Sequence, residues 1–113
     1  MERKDLKFFR KTSKSFYIVV KQNGAYVDIT DWTIYLTVKE KSTDPDTSAV
    51  IQKDIISHID PTQGKTLIEL TPNDLDIEAR NYWYDIVGKD GSGNVHLISI
   101  GKLEIEEVIT QRS

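Results

Sequence analysis

The sequence predicts an all-β fold, and three observations carry that prediction: a hydrophobic period of two, turn residues at short intervals, and a single segment with a helix-start signal. The period is clearest in "WTIYLTVKEK", where Trp32, Ile34, Leu36 and Val38 fall on one face and Thr33, Tyr35, Thr37 and Lys39 on the other. Side chains alternate across a pleated strand, so this is a half-buried strand with one wet face. Its β-branched and aromatic residues suit that conformation.

The remaining elements follow in chain order. "LKFFRK" and "SFYIVVKQ" read as two strands separated by the polar "TSK". In "QNGAY" the pair Asn23-Gly24 tolerates positive φ and predicts a tight hairpin turn. "STDPDTS" is a loop around Pro45, "AVIQKDI" a short strand, "DPTQGK" a turn, and "KTLIELT" a strand with Ile68 and Leu70 inside. "TPNDLDIEAR" starts with Thr-Pro followed by acids, which predicts one short helical turn crossing between two sheets. "NYWYDIVGKD" and "NVHLISIGKLEIEEV" close the chain as a hairpin around Asp90, Gly91, Ser92, Gly93 and Asn94.

About seven short strands with frequent turn signals favour an antiparallel β-sandwich over a barrel. The helical turn before a Tyr-rich strand points to the immunoglobulin-like version, in which a Tyr near the start of strand F reaches back to the preceding corner. Along "NYWYDIV", Tyr82, Tyr84 and Ile86 share one face while Trp83, Asp85 and Val87 share the other. A carboxylate belongs in water, so the tyrosines are expected inward, with a hydrogen-bond partner for each buried phenol, and Trp83 outward. The expected core is Trp32, Ile34, Leu36, Val38, Tyr84, Ile86 and Leu103.

Length and composition narrow the function. The 113 residues suit a single domain, 1–113, with no repeat and no linker long enough to separate two. The formal charge of −3 argues against nucleic-acid and anionic-membrane surfaces. The crowded cations Arg3, Lys4, Lys7, Arg10, Lys11 and Lys14 read as a solvated run flanking strands. With no cysteine there is neither a disulfide framework nor a thiolate metal site. "MERKDLKFF" lacks the apolar stretch of a signal peptide, and the longest apolar run, "FYIVV", is far below the ~20 residues that span a bilayer. A soluble protein made in the cytosol is expected.

Catalytic and metal-binding patterns each fail on a required residue. His58 and His96 have no second ligand at helical or hairpin spacing and read as ordinary surface or rim residues. "DPDTSAVIQKDI" offers Asp44 and Asp46 to calcium, but Ala49 stands where the sharp turn needs Gly and Ile55 where a bidentate Glu is needed. The glycines of "GSG" precede a strand, so they cannot present a helix N-terminus to phosphate. Glu106 and Glu107 are adjacent on a strand end and point to opposite faces. No enzyme, metal or cofactor is expected. If the strands carrying Tyr35 and Trp83 share a sheet, both rings point away from the core, either as a docking face or as a cross-strand pair that shields the sheet.

Several blocks together resemble the immunoglobulin-like N-terminal domain of phage baseplate upper proteins: "NGAYVDITDWTIYLTVKEK", "STDPDTSAVIQKD", "GKTLIELTPNDL" and "NYWYDIVGKDGSGNVHLISIGKLEIEEVITQ". The last has the Tyr-rich strand, Asp-Gly hairpin and Gly-Lys-Leu strand typical of that family. The sequence departs at "RKTSKSF", where relatives often carry a Gly-Asp pair. The resemblance implies a phage or prophage virion structural protein of the tail or baseplate, located in the particle and made in the bacterial host. Other phage structural proteins are the implied partners, nucleic acid and membrane are not, and homo-oligomers within the particle are compatible with it. In multidomain relatives this domain looks like an attachment module followed by receptor-facing or oligomerising parts. Such parts would here be separate polypeptides or absent. The alternative is a carbohydrate-binding module that recognises host cell-wall glycan through Tyr35 and Trp83.

Overall fold

The computed structural model describes residues 2–109, with side chains from residue 4 onward. Met1 and residues 110–113, which include the end of the "VITQ" block, lie outside the described residues. The chain is mostly β, in the order β1 (Glu2–Arg3), β2 (Leu6–Phe9), β3 (Lys14–Val19), β4 (Lys21–Gln22), β5 (Ala25–Tyr26), β6 (Thr33–Lys39), β7 (Ile51–Ile55), β8 (Lys65–Leu70), β9 (Asn81–Lys89) and β10 (Val95–Glu106). The strand segments outnumber the expected seven because the first strand is split in two and β4 and β5 form a separate small hairpin. That hairpin turns through Asn23 at φ 52° and Gly24 at φ 79°, the left-handed pair predicted for it.

β1 and β2, then β10, β9, β6 and β7 make the main sheet, while β3 and β8 form a two-stranded ladder. One hydrophobic core joins them: Ile34, Leu36, Val38, Ile51, Tyr82, Tyr84, Ile86, Leu103 and Ile105 from the main sheet meet Ile68 and Leu70 from the ladder. The alternation read from β6 and β9 therefore holds residue by residue.

β9 also fixes its neighbours. The Tyr82 hydroxyl donates to the Glu78 carbonyl at 2.6 Å, the corner bond expected of it. The Tyr84 hydroxyl donates to the Lys4 carbonyl and so pins the N-terminal segment onto the sheet edge. That segment runs parallel to β10, with Arg3 opposite Ile100 and Leu6 opposite Leu103. The expectation of a purely antiparallel fold is corrected here. The first strand breaks at Lys4 and Asp5, where the Lys4 carbonyl presses against Gly101: a Cβ on Gly101 would meet it at 2.1 Å. The Asp5 carboxylate instead accepts from the Lys102 N–H at 3.1 Å. The glycine of the "GKL" motif is thus required by close backbone approach.

The helical turn expected within residues 71–80 is confined to one hydrogen-bonded turn, and two further expectations are corrected. Thr71 and Asp74 exchange hydrogen bonds of 2.8 and 3.2 Å, and the Leu75 N–H reaches the Thr71 carbonyl at 3.2 Å. The Leu75 and Ile77 carbonyls then accept from the Lys11 N–H and the Arg10 Nε at 3.0 and 2.9 Å, so no further turn propagates. Arg10 accordingly is no solvated flanking charge, since it also pairs with Asp76 and Glu107. The nearby departure from the Gly-Asp pattern places Lys11 at φ 58°, a conformation that glycine adopts more readily. Lastly, Trp32 is half-buried rather than core. It precedes β6 in a turn whose N–H bonds the Ile29 carbonyl, and its ring lies over Gly88, where a Cβ would come within 2.6 Å.

Two substitutions test this packing. Leu36 is 2% exposed, so Leu36→Ala is expected to cost ~2–5 kcal/mol in denaturant unfolding, and a loss below ~1 kcal/mol would contradict its place in the core. Gly101→Ala is expected to cost at least ~1–3 kcal/mol, the overpacking range, because the obstructing atom is backbone. An unchanged unfolding midpoint would show that the N-terminal segment does not pack there.

Candidate functional site

The outward face of the main sheet is organised by its register. Tyr35, Val87 and Leu97 form one row across β6, β9 and β10. Thr37, Asp85 and Ile100 form the next, and Lys39, Trp83 and Lys102 the third. Tyr35 and Trp83 thus share a face but lie four residues apart along it, ~13 Å at the rise of a strand. They are not a cross-strand pair. Both are half-buried, and the Lys102 ammonium stands 5.3 Å from the Trp83 ring centroid.

Two residues of this face escape a simple reading of the alternation. Leu97 and Ile100 are three apart in sequence, so strict period two puts them on opposite faces. A bulge between Leu97 and Ser99 inserts one residue and brings both outward. They are 40% and 36% exposed, and with Val87 they make the aromatic pair part of a continuous apolar band. The only sequence signal was the crowding of apolar residues in "HLISIG".

Acids flank the band. A groove of about 400 Å³ beside Tyr35 is lined by Asp46, Asp54 and Asp85, with Lys39 among them. Lys39 pairs with Asp46 at 2.7 Å. Burial raises the Asp85 pKa above the ordinary carboxylate value, an effect that Lys39 opposes and Asp46 reinforces. A partly desolvated carboxylate carries a cost, which the Lys39 ammonium offsets in part.

The histidines are corrected from ordinary rim residues to structural ones. His58 Nε2 donates to the Trp32 carbonyl at 2.8 Å and its Nδ1 lies 2.9 Å from the Thr66 hydroxyl, tying the β3–β8 ladder to the entry of β6. Thr66 is fully buried, so this pair offers no reachable nucleophile. His96 stacks on Trp32 with ring centroids 4.7 Å apart and lies 3.0 Å from Asp90. His96, followed by the Asn94 N–H, holds the Asp90 pKa at about 2. Among the described residues no group of three His, Asp or Glu side chains converges on a point. Asp44, one of the calcium-loop candidates, instead accepts from the Lys41 N–H at 3.2 Å. Among the same residues no helix is long and apolar enough to cross a membrane.

No protein-family model and no curated protein matches the sequence. Solved structures do. The fold is similar to that of the N-terminal domain of phage TP901-1 ORF48, with a TM-score of 0.54 at 11% identity over 94% of this chain and 99% of that one. It is also similar to the soluble domain of PmoD from Methylocystis sp. ATCC 49242 (Rockwell), with a TM-score of 0.51 at 9% identity over 88% of this chain and 76% of that one. At such identities the likeness is one of fold alone.

The desolvation of Asp85 has a testable sign. A raised carboxyl pKa means that ionisation costs stability, fully above the folded-state value and not at all below the unfolded-state value of ~3.9. Asp85→Asn is expected to raise Tm at pH 7, with the gain shrinking to nothing as the pH falls below that value. A loss of Tm at pH 7 would mean that the carboxylate is stabilised where it lies.

Proposed function

We propose that this protein is a phage or prophage virion structural protein, a tail or baseplate component that works by protein–protein docking. The observation that carries the reading is the match of fold to a phage protein domain across nearly the full length of both chains. It agrees in direction with the sequence resemblance to the baseplate upper protein domain, reached independently from the "NYWYDIV", Asp-Gly and "GKL" motifs. On this reading the two layers are an immunoglobulin-like sandwich, with β6, β9 and β10 in the places of strands C, F and G. The partners are other structural proteins of the particle, and the protein performs no catalysis.

The docking face is the outward band from Tyr35 through Val87, Leu97 and Ile100 to Trp83. Aromatic residues set in apolar surroundings are the side chains that carry binding energy at interfaces. The glycan alternative draws less support. A sugar platform presents open ring faces close together, whereas these two rings are separated by the Thr37 and Asp85 row and Lys102 stands over Trp83.

Mass spectrometry of purified particles tests the reading and is expected to detect the protein among the structural components. Trp83→Ala is expected to weaken incorporation by at least about 2 kcal/mol, some thirtyfold, while leaving the fold intact. Clean particles without the protein would sink the virion reading. Normal incorporation of the variant would remove only this face.

A further inference from the structure

A second surface differs in kind from the sheet face. Among the described residues, β3 is hydrogen-bonded on one side only, to β8, and β2 on one side only, to β10. Between those two edges runs a groove of about 310 Å³ whose floor includes Leu6, Phe8, Phe16, Ile18, Tyr84 and Ile86.

The burial along β3 shows what the groove lacks. Phe16 pairs with Ile68 and Ile18 with Thr66, and paired residues share a face. Ile68 and Thr66 are fully buried, yet Phe16 and Ile18 are only half-buried. They pack against the core and remain partly uncovered because no strand lies beyond β3. The edge itself is undefended. Its six residues, "KSFYIV", carry one charge, at Lys14, and contain neither Pro nor a bulge. Tyr17 and Val19 on its other face are 58% and 42% exposed. Natural edges are usually blunted by charge, Pro or irregularity. β7, the edge of the main sheet, has Lys53 and Asp54 at its centre.

We propose that β3 is a strand-addition site, taking an extended segment of a partner polypeptide that has apolar side chains at alternate positions and acids at the ends of that apolar row, where Lys14 stands in line with Phe16 and Ile18. The incoming backbone continues the β8–β3 ladder, and its inward side chains cover Phe16 and Ile18. The acids follow from charge complementarity. Lys4 and Lys14 line the groove against one acid, Asp5, whose carboxylate already accepts from the Lys102 N–H, while Lys7 beside them is paired with Glu106 at 3.2 Å. The Lys14 ammonium lies 5.9 Å from the Phe8 ring centroid, at the mouth of the apolar floor. A second copy of β3 fits less well, since it carries Lys14 and no acid. The inference deepens the docking reading, on which it rests, but places this contact at a different surface from Trp83.

The probe is an acetylated synthetic peptide with Val at alternate positions, Thr between them and Glu at each end of the Val row, titrated against the full chain by fluorescence anisotropy and amide NMR. Saturable binding is expected, with shifts and hydrogen-exchange protection centred on β3 and the facing part of β2. A peptide with Lys for Glu, and one with Pro for its central Val, are each expected to bind at least about tenfold more weakly, a difference of ~1.4 kcal/mol. Lys14→Glu, an exposed change, is expected to weaken the acidic peptide by a similar factor, while Lys21→Glu, the charge-matched control, leaves it unchanged. No saturable binding, indifference to Pro or to Lys14→Glu, or shifts on the Tyr35–Trp83 face would each overturn the proposal. So would concentration-dependent protection of β3 without peptide, which would make a second copy the occupant. The particle experiment stays informative whichever way the peptide behaves, so the two readings can fail separately.

Discussion

The rest of the fold depends on the inward row of β9. Tyr82, Tyr84, Ile86 and Gly88 face the core from the middle of the main sheet, and three of them set the position of something else. Tyr82 closes the corner between β8 and β9 through the Glu78 carbonyl. Tyr84 reaches the Lys4 carbonyl and holds the N-terminal segment parallel to β10. Gly88 leaves room for the Trp32 ring. A buried phenol has to find an acceptor, and these two find backbone carbonyls outside their own strand. Both are therefore cross-links as well as core filling, and the sheet edge formed by β1 and β2 depends on one of them together with the missing Cβ of Gly101.

The period of two gives β9 a second role. Whatever its inward row fixes, its outward row, Trp83, Asp85 and Val87, is carried on the same rigid strand, with β6 and β10 paired on either side. A face built in this way is pre-organised, and ordering it for a partner costs little side-chain or backbone entropy. Its composition goes beyond what solubility asks for. An apolar band crosses it, and the carboxylate in its middle row is desolvated.

Local pattern made much of this legible. Alternation identified β6 and β9 and assigned their faces, Asn23-Gly24 announced its hairpin, and the Asp90–Asn94 turn was visible because its residues bond one another. The misses share a physical cause, which is that the deciding partner is remote in sequence. Parallel pairing of Leu6 with Leu103 joins opposite ends of the chain, and no short window contains it. Arg10 looks like one more cation until Ile77, Asp76 and Glu107 surround it. His58 looks like a surface residue until Thr66 and the Trp32 carbonyl engage both ring nitrogens. The bulge at Ile98 is a local irregularity, but nothing in "HLISIG" says which residue is the extra one. For that reason the outward face was legible in outline, as Tyr35 and Trp83, while the places of Leu97 and Ile100 on it were not.

The contrast between the edges bears on how a small β domain of net negative charge limits edge-to-edge pairing. β7 presents charge along its free side, and β10 is covered by β1 and β2. Among the described residues, the β3–β8 ladder combines a free edge with apolar residues on both faces. An edge of that composition templates further pairing, so it is a liability in a chain that has to remain dispersed. Here the exposed strand is short, Lys14 stands at one end, and the groove beside it is rimmed by further lysines, which repel an identical edge and attract an acidic one. The same few charges thus discourage self-association and select a partner, as a specific edge must do. On this argument the half-burial of Phe16 and Ile18 reflects a layer of the fold that another polypeptide completes.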